Sequence, residues 1–193
     1  MSELITMYPD GLKRCRWPKQ DQIYIDYHDT EWGVKLFGEN ELFEQLALEA
    51  FQAGLSWITI LKRREGFRKA FHNFNIRKVA KMREKDIERL MQDESIIRNR
   101  AKINATVRNA RLILELGKPI SPLIWAHAPK RTTTPATSFE FKATTAESEA
   151  LSKTLRGLGF SFVGPTTMYA MMQSIGMVND HAPGCFRRNE LRD

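Results

Sequence analysis

The sequence predicts an all-α domain, and three observations carry that expectation. The stretch 41–60, ELFEQLALEAFQAGLSWITI, is a mostly apolar, helix-like run. A second helix is punctuated at both ends. Gly164 and Pro165 stand at its start, Gly176 at its end, and Met168, Met171, Met172 and Ile175 supply an apolar face between. Strand signals are scarce, and no internal repeat is present.

In chain order, the helix over 41–60 bends or breaks at Gly54. Further helices are predicted over 62–71, 83–91, 100–117 and 147–156. Thr144 followed by Glu147 reads as a capping box for the last of these. The Thr/Pro-rich segment 129–145 reads as a long loop, with Phe139 and Phe141 briefly extended. A chain of 193 residues with 42% apolar content supports one well-formed core.

No apolar run approaches a membrane span, since Gly54 and Ser56 interrupt the best candidate. Residues 1–10 lack the basic-then-apolar pattern of a signal peptide. Two cysteines are too few for a disulfide framework, so a reducing, cytoplasmic setting is expected. The net charge of +7 and a pI near 9.5 suit a polyanionic partner such as nucleic acid. Many soluble proteins carry a similar surplus without binding one.

Both cysteines fall in half-motifs. Cys15 is followed by His28 (Cys-x12-His), and His181 by Cys185 (His-x3-Cys). Two thiolates and two imidazoles make a closed, tetrahedral, structural zinc set that would clasp the two ends of the chain. Inert buried thiols, a disulfide and ordinary histidines are the alternatives. Pro183 and Gly184 make 181–185 a turn, which can curl both side chains toward one ion. His72 and His127 have no such neighbours.

Glu49 lies in the most apolar part of the chain. On a helix it falls near Leu42, Leu46 and Ala53, with Gln45 and Gln52 at the margin. A carboxylate on an apolar face needs a partner or a function, because desolvation penalises its charge. The competing reading is a side chain that reaches solvent or pairs with a distant cation. Trp17, Tyr27, Trp32 and Trp57 lie close in sequence to Cys15, His28 or Glu49. Aromatic residues in helical proteins are usually core, yet aromatic faces with one carboxylate also suit a flipped, cationic base.

The link SIIRNRAKI (95–103) joins two predicted helices, with Asn99 as cap and Arg98, Arg100 and Lys102 around the helix start. Free N–H groups there suit a phosphate oxygen, which is the logic of a helix-hairpin-helix holding the DNA backbone without reading sequence. A solvated connection with ordinary surface charges is the alternative.

Together, RCRW (14–17), YHDTEWGV (27–34), LEAFQAGLSWITIL (48–61), SIIRNRAKI (95–103), GFSFVGPT (159–166) and MVNDHAPGC (177–185) resemble the 3-methyladenine DNA glycosylase I (Tag) family over about residues 13–185. The resemblance implies a single helix-hairpin-helix glycosylase unit over 1–193. Its zinc-binding lobe would come from 12–38 and 177–193, and its base-excision core from 39–176, with the hairpin near 95–103. It implies one structural zinc ion on Cys15, His28, His181 and Cys185. Glu49 becomes the pocket carboxylate and catalytic residue. Tyr27 and Trp57 become pocket walls, with Trp17 and Trp32 nearby. Gly54 and Leu55 would meet DNA where a nucleotide is extruded, alongside Arg98, Arg100 and Lys102. The implied partners are double-stranded alkylated DNA and the product 3-methyladenine, with no membrane, and the implied state is a monomer. The family lacks the usual catalytic aspartate after the hairpin, and none is assigned. Ala101 stands where relatives carry glycine, and Ala50-Phe51 where some carry Gly-Gln; Phe51, about 160° from Glu49 on the helical wheel, is expected to pack behind the pocket. A non-catalytic zinc-containing DNA-binding protein and a glycosylase with another lesion preference are the rival readings.

Overall fold

The apolar stretch 41–60 forms two helices rather than one. A computed structural model of the protein describes residues 4–130 and 142–191. In it, α2 (Glu39–Gln52) ends at a turn and α3 (Trp57–Leu61) begins after it. Gly54 makes the break, with a φ of +84° that side chains rarely adopt.

The described residues are mostly helical. Before α2 comes α1 (Gln22–Thr30). After α3 come α4 (Arg64–Ala70), α5 (Ile76–Ala80), α6 (Glu84–Met91), α7 (Arg100–Glu115) and α8 (Ile120–Trp125). Then follow α9 (Ala146–Gly157), α10 (Pro165–Ser174) and α11 (Phe186–Glu190). Helices α1, α5, α8 and α11 have no counterpart in the sequence expectation. Helices α5, α8 and α11 are too short for a period to stand out. A two-stranded antiparallel hairpin, β1 (Ile5–Met7) with β2 (Lys13–Cys15), adds a small non-helical element that the all-α expectation lacked. Most of the loop expected at 129–145, including Phe139 and Phe141, lies outside the described residues.

Helix α2 is the central element. Leu42, Phe43, Leu46, Ala47, Leu48, Ala50 and Phe51 are all buried, while Glu41, Glu44 and Gln45 keep its outer face polar. It packs against α3, α7, α8 and α10. Phe51 is fully buried and tilts against Phe67 with centroids 4.6 Å apart, so it lies in the core as expected.

Caps fix several boundaries. Asn99 Oδ1 accepts from Lys102 N at 3.1 Å at the start of α7. For α9 the capping box uses Thr145 and Ser148, one residue later than the Thr144–Glu147 reading. The turn into α10 is tied to α7 by a reciprocal pair: Asn109 Nδ2 donates to Ser161 O at 3.1 Å, and Ser161 N donates to Asn109 Oδ1 at 3.0 Å. At the far end of α10, Gly176 allows a close approach. A Cβ there would lie 2.5 Å from Gly33 O, so only glycine lets the segment after α1 cross α10.

Candidate active site

Helix α2 carries Glu49 into a cavity of about 190 Å³. Trp17, Tyr24, Tyr27 and Trp32 line it from the N-terminal region, Gln52 from the end of α2, Trp57 from α3, and Ala170 and Gln173 from α10. Glu49 is only 3% exposed, so it does not reach bulk solvent. Its Oε2 is buried without a hydrogen-bond partner, and so is Trp57 Nε1. Burial pushes the Glu49 carboxyl up to about 8, and contact with the Ser174 hydroxyl offsets this only in part. Burial therefore favours the neutral carboxyl until a positive charge comes beside it. Burial, with Glu49 second, also pushes the Tyr27 hydroxyl well above its usual range.

The aromatic walls form a connected set. Tyr27 and Trp57 have centroids 5.5 Å apart, and Trp17 and Trp32 meet edge-on at 5.1 Å. Trp17 also touches the His28 ring at 5.2 Å, and Trp32 touches the His181 ring at 4.5 Å. Two pocket tryptophans thus rest on the histidines of the sequence half-motifs.

Those half-motifs meet. Cys15, His28 and Cys185 are buried, and their ligand atoms lie within 4.8 Å of one another. His181 is fully buried beside them, its ring 4.9 Å from that of His28. Both imidazoles are oriented from behind. His28 Nδ1 donates to Asp29 Oδ1 at 2.7 Å, leaving Nε2 3.5 Å from Cys185 Sγ. The amide of Asn179 donates to Arg188 O at 3.0 Å, so its Oδ1, 3.0 Å from His181 Nδ1, accepts from that nitrogen. His181 Nε2 is then a bare lone pair, buried and without a partner among the described residues. Burial and neighbouring His28 hold His181 down at about 4, so it is neutral as a ligand must be. Contact between the sulfurs pushes the Cys15 thiol up and holds the Cys185 thiol well below its usual range. Arg14, also buried, pairs with Asp29 at 2.7 Å and with Asp10 at 2.7 Å, which anchors the carboxylate behind His28. The donor set fits a zinc ion: soft and imidazole ligands, an orphaned lone pair and carboxylate or amide support behind each ring.

The residues expected at DNA separate into two groups. Gly54 and Leu55 are exposed on the turn after α2, and Arg98 and Arg100 are exposed at the link into α7. Arg100 is held by Glu84 at 2.9 Å and Glu88 at 2.8 Å, and Arg98 lies 3.6 Å from Glu94. Such exposed pairs are weak, typically ~0–1 kcal/mol, and a phosphate can replace them. Lys102 differs. It is buried, and its ammonium donates to Phe51 O at 2.9 Å and Ala53 O at 2.6 Å, capping the C-terminal end of α2. This corrects its assignment as a phosphate contact: the charge is already used inside the protein. Lys102→Met should therefore lower stability by about 2 kcal/mol in urea unfolding, because two carbonyls, that of Phe51 buried, lose their donor. An unchanged midpoint would show that this cap contributes nothing.

Two larger hollows, of about 740 and 460 Å³, lie beneath the β-hairpin and over α6 and α7. Neither contains a buried carboxyl without a partner among the described residues.

Residues 17–188 match the sequence model of the methyladenine glycosylase family. The chain belongs to the methyladenine glycosylase family. It is 49% identical over 180 residues to DNA-3-methyladenine glycosylase 1 of Escherichia coli, covering 90% of this chain and 96% of that protein. It is 47% identical over 178 residues to DNA-3-methyladenine glycosylase of Haemophilus influenzae, covering 89% and 96%. A solved structure of 3-methyladenine DNA glycosylase I superposes with a TM-score of 0.84 at 46% identity, covering 90% and 98% of the two chains. The enzyme of Staphylococcus aureus, solved to explain 3-methyladenine recognition, superposes at 0.83 with 33% identity, covering 91% and 96%.

Within this methyladenine glycosylase, the fold brings Glu49, Tyr27, Trp57, Trp17 and Trp32 to one cavity and Cys15, His28 and Cys185 to another point, with the His181 ring beside them. Sequence reasoning missed Tyr24, Ala170 and Gln173 in the pocket wall. Tyr24 lies one helical turn before Tyr27, a relation hidden while α1 was unassigned. Gln173 lies one turn after Ala170 on the apolar α10, and that isolated amide was the available signal. Arg14, Asp29 and Asn179 carried no sequence signal beyond adjacency to ligands.

Proposed function

We propose that this protein is a DNA repair glycosylase that hydrolyses the N-glycosidic bond of 3-methyladenine in alkylated DNA. The observation that carries the reading is a buried carboxyl, Glu49 Oε2, left without a partner in an aromatic-walled cavity of a methyladenine glycosylase.

Alkylation at N3 makes the adenine cationic and weakens its bond to the sugar, so strong acid catalysis is unnecessary. The protein extrudes the base, holds it and lets water capture the sugar cation. Tyr27 and Trp57 offer faces to the electron-poor ring, with Trp17 and Trp32 behind, at roughly 0.5–2 kcal/mol per good contact. A cation beside Glu49 favours loss of its proton, and the carboxylate then accepts from the exocyclic amine. Charge-assisted bonds of this kind contribute roughly 1.5–3 kcal/mol.

Cys15, His28, His181 and Cys185 would hold one zinc ion. Four protein ligands leave no open position, so its contribution is structural. The lobe from 12–38 and 177–193 would then brace the core 39–176 through Trp17 and Trp32. The link 95–103 would serve as the hairpin of a helix-hairpin-helix, with Arg98 and Arg100 on the backbone of double-stranded DNA. Gly54 and Leu55, on the exposed turn beside the pocket helix, would take the place of the extruded nucleotide.

The decisive experiment is incubation of purified protein with methylated DNA and chromatography of the released bases. Free 3-methyladenine is the expected product. DNA binding without base release would favour a non-catalytic zinc-containing DNA-binding protein. Arg98→Ala with Arg100→Ala should weaken DNA binding at low salt and flatten the log–log salt dependence by about 2, while sparing free-base binding. Untouched DNA affinity would remove the hairpin from the interface.

A further inference from the structure

The polar wall contributed by α10 has a fixed hydrogen-bonding sense. Gln173 lines the cavity that holds Glu49. Its Nε2 donates to Asp180 Oδ2 at 2.8 Å, and the same oxygen accepts from the Tyr169 hydroxyl at 2.6 Å. A carboxylate only accepts, so the amide must turn its nitrogen toward Asp180. Gln173 Oε1 is then the atom left over. It accepts no hydrogen bond among the described residues, is not among their buried unpartnered atoms, and belongs to a residue that lines the cavity.

We infer that Gln173 is a specificity-determining residue, its Oε1 serving as an acceptor that favours a purine with an exocyclic 6-amine over one with a 6-carbonyl. The inference rests on the glycosylase reading above and adds the residue that sets the polarity of the pocket.

Glu49 alone cannot set that polarity. Burial pushes its carboxyl up to about 8, so near neutral pH it can donate to a carbonyl when protonated or accept from an amine when ionised. The Gln173 amide does not titrate and cannot invert while Asp180 holds its nitrogen. A 6-carbonyl brought against Oε1 faces a second acceptor with no proton between them. A 6-amine makes a bond. Sites built to match a donor reject an analogue lacking it strongly, because a desolvated polar group is left unpaired.

The test is equilibrium binding of free 3-methyladenine and free 3-methylguanine, followed by tryptophan fluorescence, to wild type, Gln173→Leu and Asp180→Asn. Wild type is expected to prefer 3-methyladenine. Gln173→Leu should reduce the ratio of the two affinities about tenfold, with the loss carried by 3-methyladenine. Asp180→Asn keeps the shape but can accept or donate, so the glutamine amide can turn and the ratio should fall to an intermediate value. A general folding defect lowers both affinities together and leaves their ratio alone. Equal binding of the two bases by wild type, or an unchanged ratio in either variant, overturns the inference. Wild-type protein that binds neither base overturns the glycosylase reading with it.

Discussion

Glu49→Gln is expected to lower base excision by roughly 100-fold or more while making the protein more stable in mild alkali. Both effects have one origin. The side chain keeps its size, but it can no longer become a carboxylate when a cationic base enters. The stability effect follows from linkage. The folded carboxyl titrates near 8 rather than at its ordinary 4.5. Between these values the folded protein holds a proton that the unfolded chain has released. Stability therefore falls as pH rises through that window and levels off above the folded value. Glutamine has no such titration. Melting curves at about pH 5 and about pH 8.5 should show the gap between variant and wild type widening toward the higher pH. Parallel pH dependence of the two proteins would contradict a buried, neutral Glu49. Undiminished excision by the variant would remove Glu49 from the reaction.

Cys15→Ser is expected to abolish stoichiometric zinc and lower the melting temperature by about 10 °C, as loss of ~3–5 kcal/mol does in a chain of this size. Cys15 sits at the end of β2 and is fully buried against Cys185, His28 and the 181–185 turn. Its sulfur also accepts from Ala182 N at 3.2 Å. Removing it leaves three donors and loosens the turn that carries two of them. Trp17 and Trp32 lean on His28 and His181, so tryptophan emission should shift as well. Elemental analysis with thermal melts checks this. Full zinc occupancy in the variant would take Cys15 out of the ligand set. Bound metal with an unchanged melting temperature would deny it a structural role.

Several helices were legible because period and punctuation agreed. Residues 83–91, 100–117 and 165–176 became α6, α7 and α10 with shifts of one or two residues. Glu49 could be singled out because it falls on the apolar face of its helix, near Leu42 and Leu46, where a carboxyl is costly. Its protonation could not be foreseen, since that depends on which surfaces close over it. Lys102 shows the opposite case. A lysine among arginines at a helix start reads as surface charge, and only the packing of α7 beside the end of α2 turns its ammonium onto Phe51 and Ala53 carbonyls. Asp180 was likewise visible as a letter within MVNDHAPGC. Its grip on Gln173 and Tyr169 depends on how the segment after α10 folds back.

The meeting of Cys15 with the 181–185 turn spans 167 positions of sequence. Synthesis on the ribosome runs in one direction, so the first aromatic residues emerge long before the groups that steady them. Trp17 and Trp32 must wait for residues 181–185 before they can settle, and contacts so distant in sequence are slow to form. Capacity to receive a base therefore depends on residues made long after Glu49. A nascent chain halted before residue 185 would carry Glu49 on its helix but lack a finished chamber around it.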